Sequence, residues 1–222
     1  MDIALFSPSS LFADPDDSSS EEQHESETPQ SYAERTHRFP GMDLIIREFS
    51  FHQLNANLLW PGTFAFAEWL VQHRTWIEGR RIIELGSGTG ALAIFLQKSF
   101  SLDITTSDYD DLEIEENIAH NCKINGITPV LPHIRHVKQY QKLITSLCSL
   151  LKNYKPTDDR TDVKETSQKA GSHVRFPRPA FLMSWRRRIR KEDESLFFNG
   201  CADAGLEVEH ISSRVYCIKP RD

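Results

Sequence analysis

The stretch RRIIELGSGTGAL, residues 80–92, leaves few folds open to this chain. Ile82, Ile83 and Leu85 form a short apolar run of the kind found in strands covered on both faces. Gly86, Gly88 and Gly90 break the run, and ALAIFLQKSF follows at once with apolar residues at helical spacing. A buried strand turning through glycines into a helix opens a βαβ unit. It sets the unpaired N–H donors of a helix start beside backbone that carries no Cβ, so a ligand can come close. The next strand, DITTSD, ends at Asp108, twenty residues after Gly88. A carboxylate in that position can accept hydrogen bonds from both hydroxyls of a ribose.

Around this unit the two periodicities alternate. DLIIREFSF reads as a strand and GTFAFAEWLVQHR as a helix. In DYDDLEIEENIAHNCKING, Asp110 with Glu113 suggests a capping box and Gly126 a helix stop. VKQYQKLITSLCSLLKNY carries Val137, Tyr140, Leu143, Ile144, Leu147, Leu150 and Leu151 on one helical face. AFLMSW reads as a strand, KEDESLFFNGCADAG as a helix ending at Gly205, and LEVEHISSRVYCIK as two strands or a bent hairpin. Repeated βαβ units predict an α/β fold, a Rossmann-like doubly wound and mostly parallel sheet with helices on both faces.

Composition sets the boundaries. Residues 1–34 hold nine acidic side chains and no Lys or Arg, leaving the remainder with 26 basic against 23 acidic. Low hydrophobicity with charge of one sign cannot offset the entropy of ordering, so residues 1–38 are expected to form a disordered acidic tail. Residues 39–222 form the expected domain, interrupted by a long polar loop at 155–179 that carries Pro156, Pro177 and Pro179. No run of 18 apolar residues exists, so no membrane span is expected. The first residues lack a basic n-region, and Cys122, Cys148, Cys201 and Cys217 form no C-x-x-C pair; a cytoplasmic or nuclear protein with reduced thiols is expected. A body without a Lys/Arg stripe argues against nucleic acid as partner. His133 and His136, three apart on a strand, face opposite ways and make a poor metal pair. The segment WRRRIRK, residues 185–191, concentrates positive charge that could recruit an acidic protein surface or the acidic tail, although a solvated strand end explains it as well.

Spacing alone leaves two cofactors open, because Gly86-x-Gly88-x-x-Ala91 also satisfies the dinucleotide pattern of NAD enzymes. Charge separates them. Glu84, just before the glycines, would repel a pyrophosphate, whereas S-adenosyl-L-methionine brings an ammonium, a sulfonium and no phosphate. A glycine turn without a ligand would need Glu84, the glycines and Asp108 to coincide by chance.

LLWPGTFAFAEWL, RRIIELGSGTGALAIFLQ, ITTSDYDDLEIEENIAHN and FLMSWRRRI together resemble the seven-strand, class I S-adenosylmethionine-dependent methyltransferases, in the branch of the non-histone protein-lysine methyltransferases. The similarity covers residues 41–222. It implies that Trp60 closes over the cofactor region, that Gly86, Ser87 and Gly88 form the cradle, and that Asp108 holds the ribose. Trp60 reads equally as a core or rim aromatic. The resemblance further implies a protein substrate; a monomer is the expected state.

The chain departs from that pattern at one junction. After the third strand the family continues with a Thr-Trp-Gly segment and a strand of the form W-D-L-I-x-x-A-S-D-x-x-Y. Here VLPHIRH passes directly from His136 to the helix at Val137. The chain therefore reads as an internally shortened member in which one central strand is missing. Three or four buried side chains at about 1.5–3 kcal/mol each amount to about 5–10 kcal/mol, against a total domain stability of about 5–15 kcal/mol. The Asp of that strand, beside which the substrate amine would sit in the family, has no counterpart, so no catalytic residue is assigned. Two functions follow: methyl transfer to a protein lysine, or a truncated, inactive isoform acting at most as a binding protein.

Overall fold

The computed structural model describes residues 32–50, 52, 56, 58–136, 140–154, 179–185, 191–212 and 214–221. Within them, strand β1 (Tyr32–Phe39) pairs antiparallel with β2 (Met42–Phe49). Helix α1 (Pro61–Gln72), strand β3 (Arg81–Leu85), helix α2 (Ala91–Phe100), strand β4 (Asp103–Tyr109), helix α3 (Leu112–Ile124) and strand β5 (His133–His136) follow. The second half holds helix α4 (Tyr140–Lys152), strand β6 (Phe181–Ser184), helix α5 (Lys191–Asp203) and strands β7 (Leu206–Ser212) and β8 (Val215–Pro220). This is the α/β class that the βαβ pattern calls for.

The sheet architecture decides what the site can become. Strands β3, β4 and β5 form a parallel sheet in the order β3-β4-β5, with Glu84 opposite Thr106 and Leu85 opposite Ser107. That register brings the C-terminal ends of β3 and β4 side by side, where open α/β sheets bind ligands. Strands β6, β8 and β7 make a separate antiparallel sheet. Direct pairing of AFLMSW with RRIIEL, one way for the sequence to close its sheet, does not occur: β6 pairs with β8 from Phe181↔Ile218 to Ser184↔Val215. Among the described residues β3 is thus an edge strand, and Ile83 is 46% exposed where a doubly covered strand would bury it.

Two corrections concern chain ends of elements. Residues 32–38, expected in the disordered tail, are in a strand, because YAERTHRF lies along β2 from Tyr32↔Phe49 to Phe39↔Met42. The backbone ladder compensates for a strand in which only Phe39 is buried. Helix α3 is capped by Asp111 rather than Asp110: the Asp111 carboxylate accepts from the Glu113 N–H at 2.9 Å, while Asp110 pairs with Arg135 at 3.3 Å. The far end is as the sequence predicts, with Gly126 at φ 76°. Residues 1–31 of the tail, the His136–Val137 junction on its 137 side, residues 155–178 of the polar loop and residues 186–190 of the basic segment lie outside the described residues.

The hairpin is fastened by an asparagine ladder that no sequence pattern announces. Asn117, Asn121 and Asn125 recur every fourth residue on α3 and face the open edge of β2. Asn125 accepts from the Ile45 N–H at 3.1 Å and donates to the Ile45 carbonyl at 2.6 Å. Asn121 does the same for Arg47 at 2.8 and 3.2 Å. Side-chain amides thus stand in for a third strand and satisfy an edge that would otherwise be unpaired. Beneath it, Phe39 stacks on Phe95 and meets Phe64, joining the hairpin to α1 and α2 in the main core.

Candidate functional site

The glycine turn is shaped by its own backbone. Gly86 and Ser87 both donate to the Ser107 carbonyl, at 2.9 and 3.0 Å, and Gly90 donates to Ser87 at 2.7 Å. All three glycines have positive φ, a conformation that side chains with a Cβ adopt only under strain. The buried hydroxyls of Ser87 and Ser107 tie the turn to both strands: Ser107 Oγ donates to the Glu84 carbonyl at 2.9 Å, and the Ser107 N–H donates to Ser87 Oγ at 3.1 Å. Asp108 is fixed by two amides, accepting from Gly88 at 2.6 Å and from Tyr109 at 2.7 Å. Each carboxylate oxygen keeps a lone pair for a hydroxyl.

Glu84 is the exceptional group. Its Oε2 is buried with no hydrogen-bond partner among the described residues. Burial pushes the carboxyl up from the ordinary 4.5 to about 8; hydrogen bonds from the Ser87 side chain and the Ala93 backbone pull the other way, and the nearby Asp108 charge adds to the rise. A carboxylate in that setting is stabilised by a cation arriving with its own donors.

These groups border one cavity of about 180 Å³. Glu84, Gly86, Ser87, Gly88 and Asp108 form one side, and Trp60 with Ala56, Leu58 and Leu59 the other. Of the residues singled out by sequence, Trp60, Glu84, Gly86, Ser87, Gly88 and Asp108 meet here. Gly90 does not line the cavity. A Cβ on it would lie 3.0 Å from Ile118, so its role is close packing of α2 on α3 together with its φ of 75°. Trp60 stands at the start of α1, 41% exposed, a rim residue rather than a core one. Ala56, Leu58, Leu59, Thr63 and Thr89 also line the cavity, and sequence reasoning missed them. The first three lie in irregular chain, where no periodicity marks a wall.

The donor set suits the amino-acid and ribose ends of an adenosyl amino acid: an orphaned buried carboxylate, a turn of free approach and a second carboxylate fixed by amides. The volume is short, because pockets for small molecules span about 300–1,000 Å³. The described residues have room for only part of such a ligand. A second grouping, His52, Asp111 and Glu113, brings three ligand-type atoms within 4.8 Å of one another. Helix capping by Asp111 and its 3.2 Å contact with His52 Nε2 account for that grouping. No helix among the described residues is long and apolar enough to cross a membrane, and all four cysteines are free.

Part of the chain is similar to known proteins. Residues 39–144 match a protein family described as lysine methyltransferase. The chain is 35% identical over 72 residues to the electron transfer flavoprotein beta subunit lysine methyltransferase of Rattus norvegicus, a match covering 32% of this chain and 28% of that protein. The Homo sapiens protein of that name is 32% identical over 72 residues, covering 32% and 27%. The histidine protein methyltransferase 1 homolog of Bos taurus is 29% identical over 95 residues, covering 40% and 26%. These matches span less than a third of the relatives' own lengths.

Proposed function

We propose, from the match of residues 39–144 to a family described as lysine methyltransferase, that the chain binds S-adenosyl-L-methionine and serves methyl transfer to a protein lysine. Trp60, Glu84, Gly86, Ser87, Gly88 and Asp108 hold the cofactor in this reading. The observation that carries it is the Glu84 carboxyl, whose buried Oε2 lacks a partner among the described residues at the wall of the cavity that Asp108 also borders. The cofactor's ammonium answers that carboxyl and its ribose answers Asp108; bound there, it supplies an activated methyl group. NAD fits worse, since its pyrophosphate would face a buried acid. Lysine is favoured over histidine by the family's description, and a cytoplasmic or nuclear setting agrees with the free thiols.

A second reading, a non-catalytic binding protein, is favoured by the same structure. Among the described residues no ladder joins β3 to β6, and the cavity is small for the whole cofactor. Both features fit a chain that has lost a central strand after His136. Methyl transfer depends on holding nucleophile and methyl group in line, so a missing wall weakens turnover more than binding.

Calorimetric titration with S-adenosylhomocysteine, combined with transfer of labelled methyl groups to proteins of a cell extract, separates the readings. Binding with turnover establishes the first; binding without turnover establishes the second. Absence of binding removes both.

A further inference from the structure

Ala56, Leu58 and Leu59, which line the cavity with the glycine turn, lie in no helix or strand, so something other than a regular ladder must hold them. Glu48 does so. In β2 the residues Leu44, Ile46 and Glu48 alternate onto one buried face, and Glu48 is 3% exposed at a place where the pattern calls for an apolar residue. Its Oε1 accepts from the Leu59 N–H at 3.0 Å and lies 3.1 Å from His37 Nε2. Its Oε2 lies 3.4 Å from Arg35 Nε. An apolar side chain would fill this place without the desolvation cost of a carboxylate, and buried ion pairs are poor sources of stability. A local rule broken in the core next to a binding cavity marks a functional constraint.

We propose that Glu48 is a positioning residue: it latches Leu59, and with it Trp60, against the cavity, so that ligand affinity depends on a side chain that does not itself line the site. The proposal rests on the cofactor reading given above for its ligand, though the latch is a property of the free protein. The hairpin β1–β2 thereby becomes part of the binding apparatus. The asparagines of α3 fix the hairpin, the hairpin presents Glu48, and Glu48 fixes the wall.

The test uses two variants of the full chain. Glu48→Gln keeps an acceptor for Leu59 at unchanged size; Glu48→Leu fills the core without one. Glu48→Leu is expected to keep or raise the thermal midpoint while losing about tenfold in affinity for S-adenosylhomocysteine, the loss for one hydrogen bond to a charged group. Glu48→Gln should stay within about threefold of the parent, since a neutral acceptor retains part of that bond. A purely structural role predicts instead that midpoint and affinity fall together in both variants. Affinity unchanged in Glu48→Leu, or a joint fall, overturns the proposal. Amide exchange of Leu59 in ligand-free protein gives the second readout. It should be slow in the parent and in Glu48→Gln and about tenfold faster in Glu48→Leu, with the amides of α1 unaffected; unchanged Leu59 exchange overturns the latch. Should the parent fail to bind S-adenosylhomocysteine, the cofactor reading fails, and Leu59 exchange still decides the latch.

Discussion

At the scale of single residues, the site is governed by one acid with an oxygen that finds no partner among the described residues. In the folded chain the Glu84 carboxyl is held at about 8 against an ordinary 4.5. Between those values the native state keeps a proton that the unfolded chain has released, so this group makes stability fall as pH rises from about 4.5 to about 8 and leaves it level above. Glu84→Gln removes the effect. Urea unfolding of parent and variant at pH 5.5 and pH 8 should show a pH-dependent difference smaller by roughly 2–3 kcal/mol in the variant. An equal pH dependence would show that Glu84 is ionised without a ligand. The same proton must leave when a cation binds. Affinity for S-adenosylhomocysteine should then rise by up to about tenfold per pH unit below 8, with proton release seen by titration calorimetry in buffers of different ionisation enthalpy. Gly90 poses the opposite case, being at the turn but not in the cavity. Its φ of 75° and the nearness of Ile118 predict that Gly90→Ala lowers the unfolding free energy by about 1–3 kcal/mol. The damage arises from strain and packing, not from a lost ligand contact.

Elements differ in how far the sequence announces them. Helix α3 carries its function on a face that reads as merely polar: Asn121 bonds to both backbone groups of Arg47 and to the Thr89 carbonyl at 3.0 Å. Asn121→Ala strips the Arg47 N–H and the Thr89 carbonyl of that partner, while the Arg47 carbonyl keeps the Asn117 amide at 3.1 Å, and thermal or urea unfolding should register a loss of about 1–3 kcal/mol. A surface-like Asn→Ala cost of a few tenths would refute the ladder. Three asparagines at helical spacing were in plain view, but a polar stripe is ordinarily solvated, so only the neighbouring strand edge reveals its use. Strand β1 was hidden for a related reason. Its alternation is polar on both sides, and it exists because β2 supplies a partner, a long-range fact. The β3–turn–α2 unit and Asp108 were legible because covalent neighbours define them: an apolar run, glycines, a helical run, then an acid at the next strand's end. The cavity's far wall was not, since no local pattern marks Ala56, Leu58 or Leu59, and the Leu59 N–H is met by Glu48, distant in sequence. Asp110 and Asp111 show the same limit at one residue's distance. Either acid suits a helix start, and the choice falls to the backbone that reaches Glu113.

For the whole molecule the consequence of a divided sheet is a divided core. The larger cluster has twenty-one buried residues among those described, drawn from residues 39–131 with Val215. The smaller has five, Leu147, Leu151, Cys201, Leu206 and Ile218, all from the second half, with Leu85 packed against it from the end of β3. No strand ladder joins the two sheets among the described residues. Coupling therefore rests on side chains such as Leu85, Leu182 and Ile211. Five buried side chains at about 1.5–3 kcal/mol each must also offset the ordering of two helices and three strands. The second half should open before the first. Two cysteines report the sequence of events: Cys122 is fully buried in the larger core and Cys201 fully buried in the smaller. Pulsed labelling with a thiol reagent across a urea series should modify Cys201 at lower urea than Cys122, with the circular dichroism transition spanning both. Coincident labelling would mean that side-chain packing alone makes the two sheets one cooperative unit. The cavity between β3, β4 and α1 would then be as rigid as the rest of the molecule, and the missing ladder would have no thermodynamic consequence.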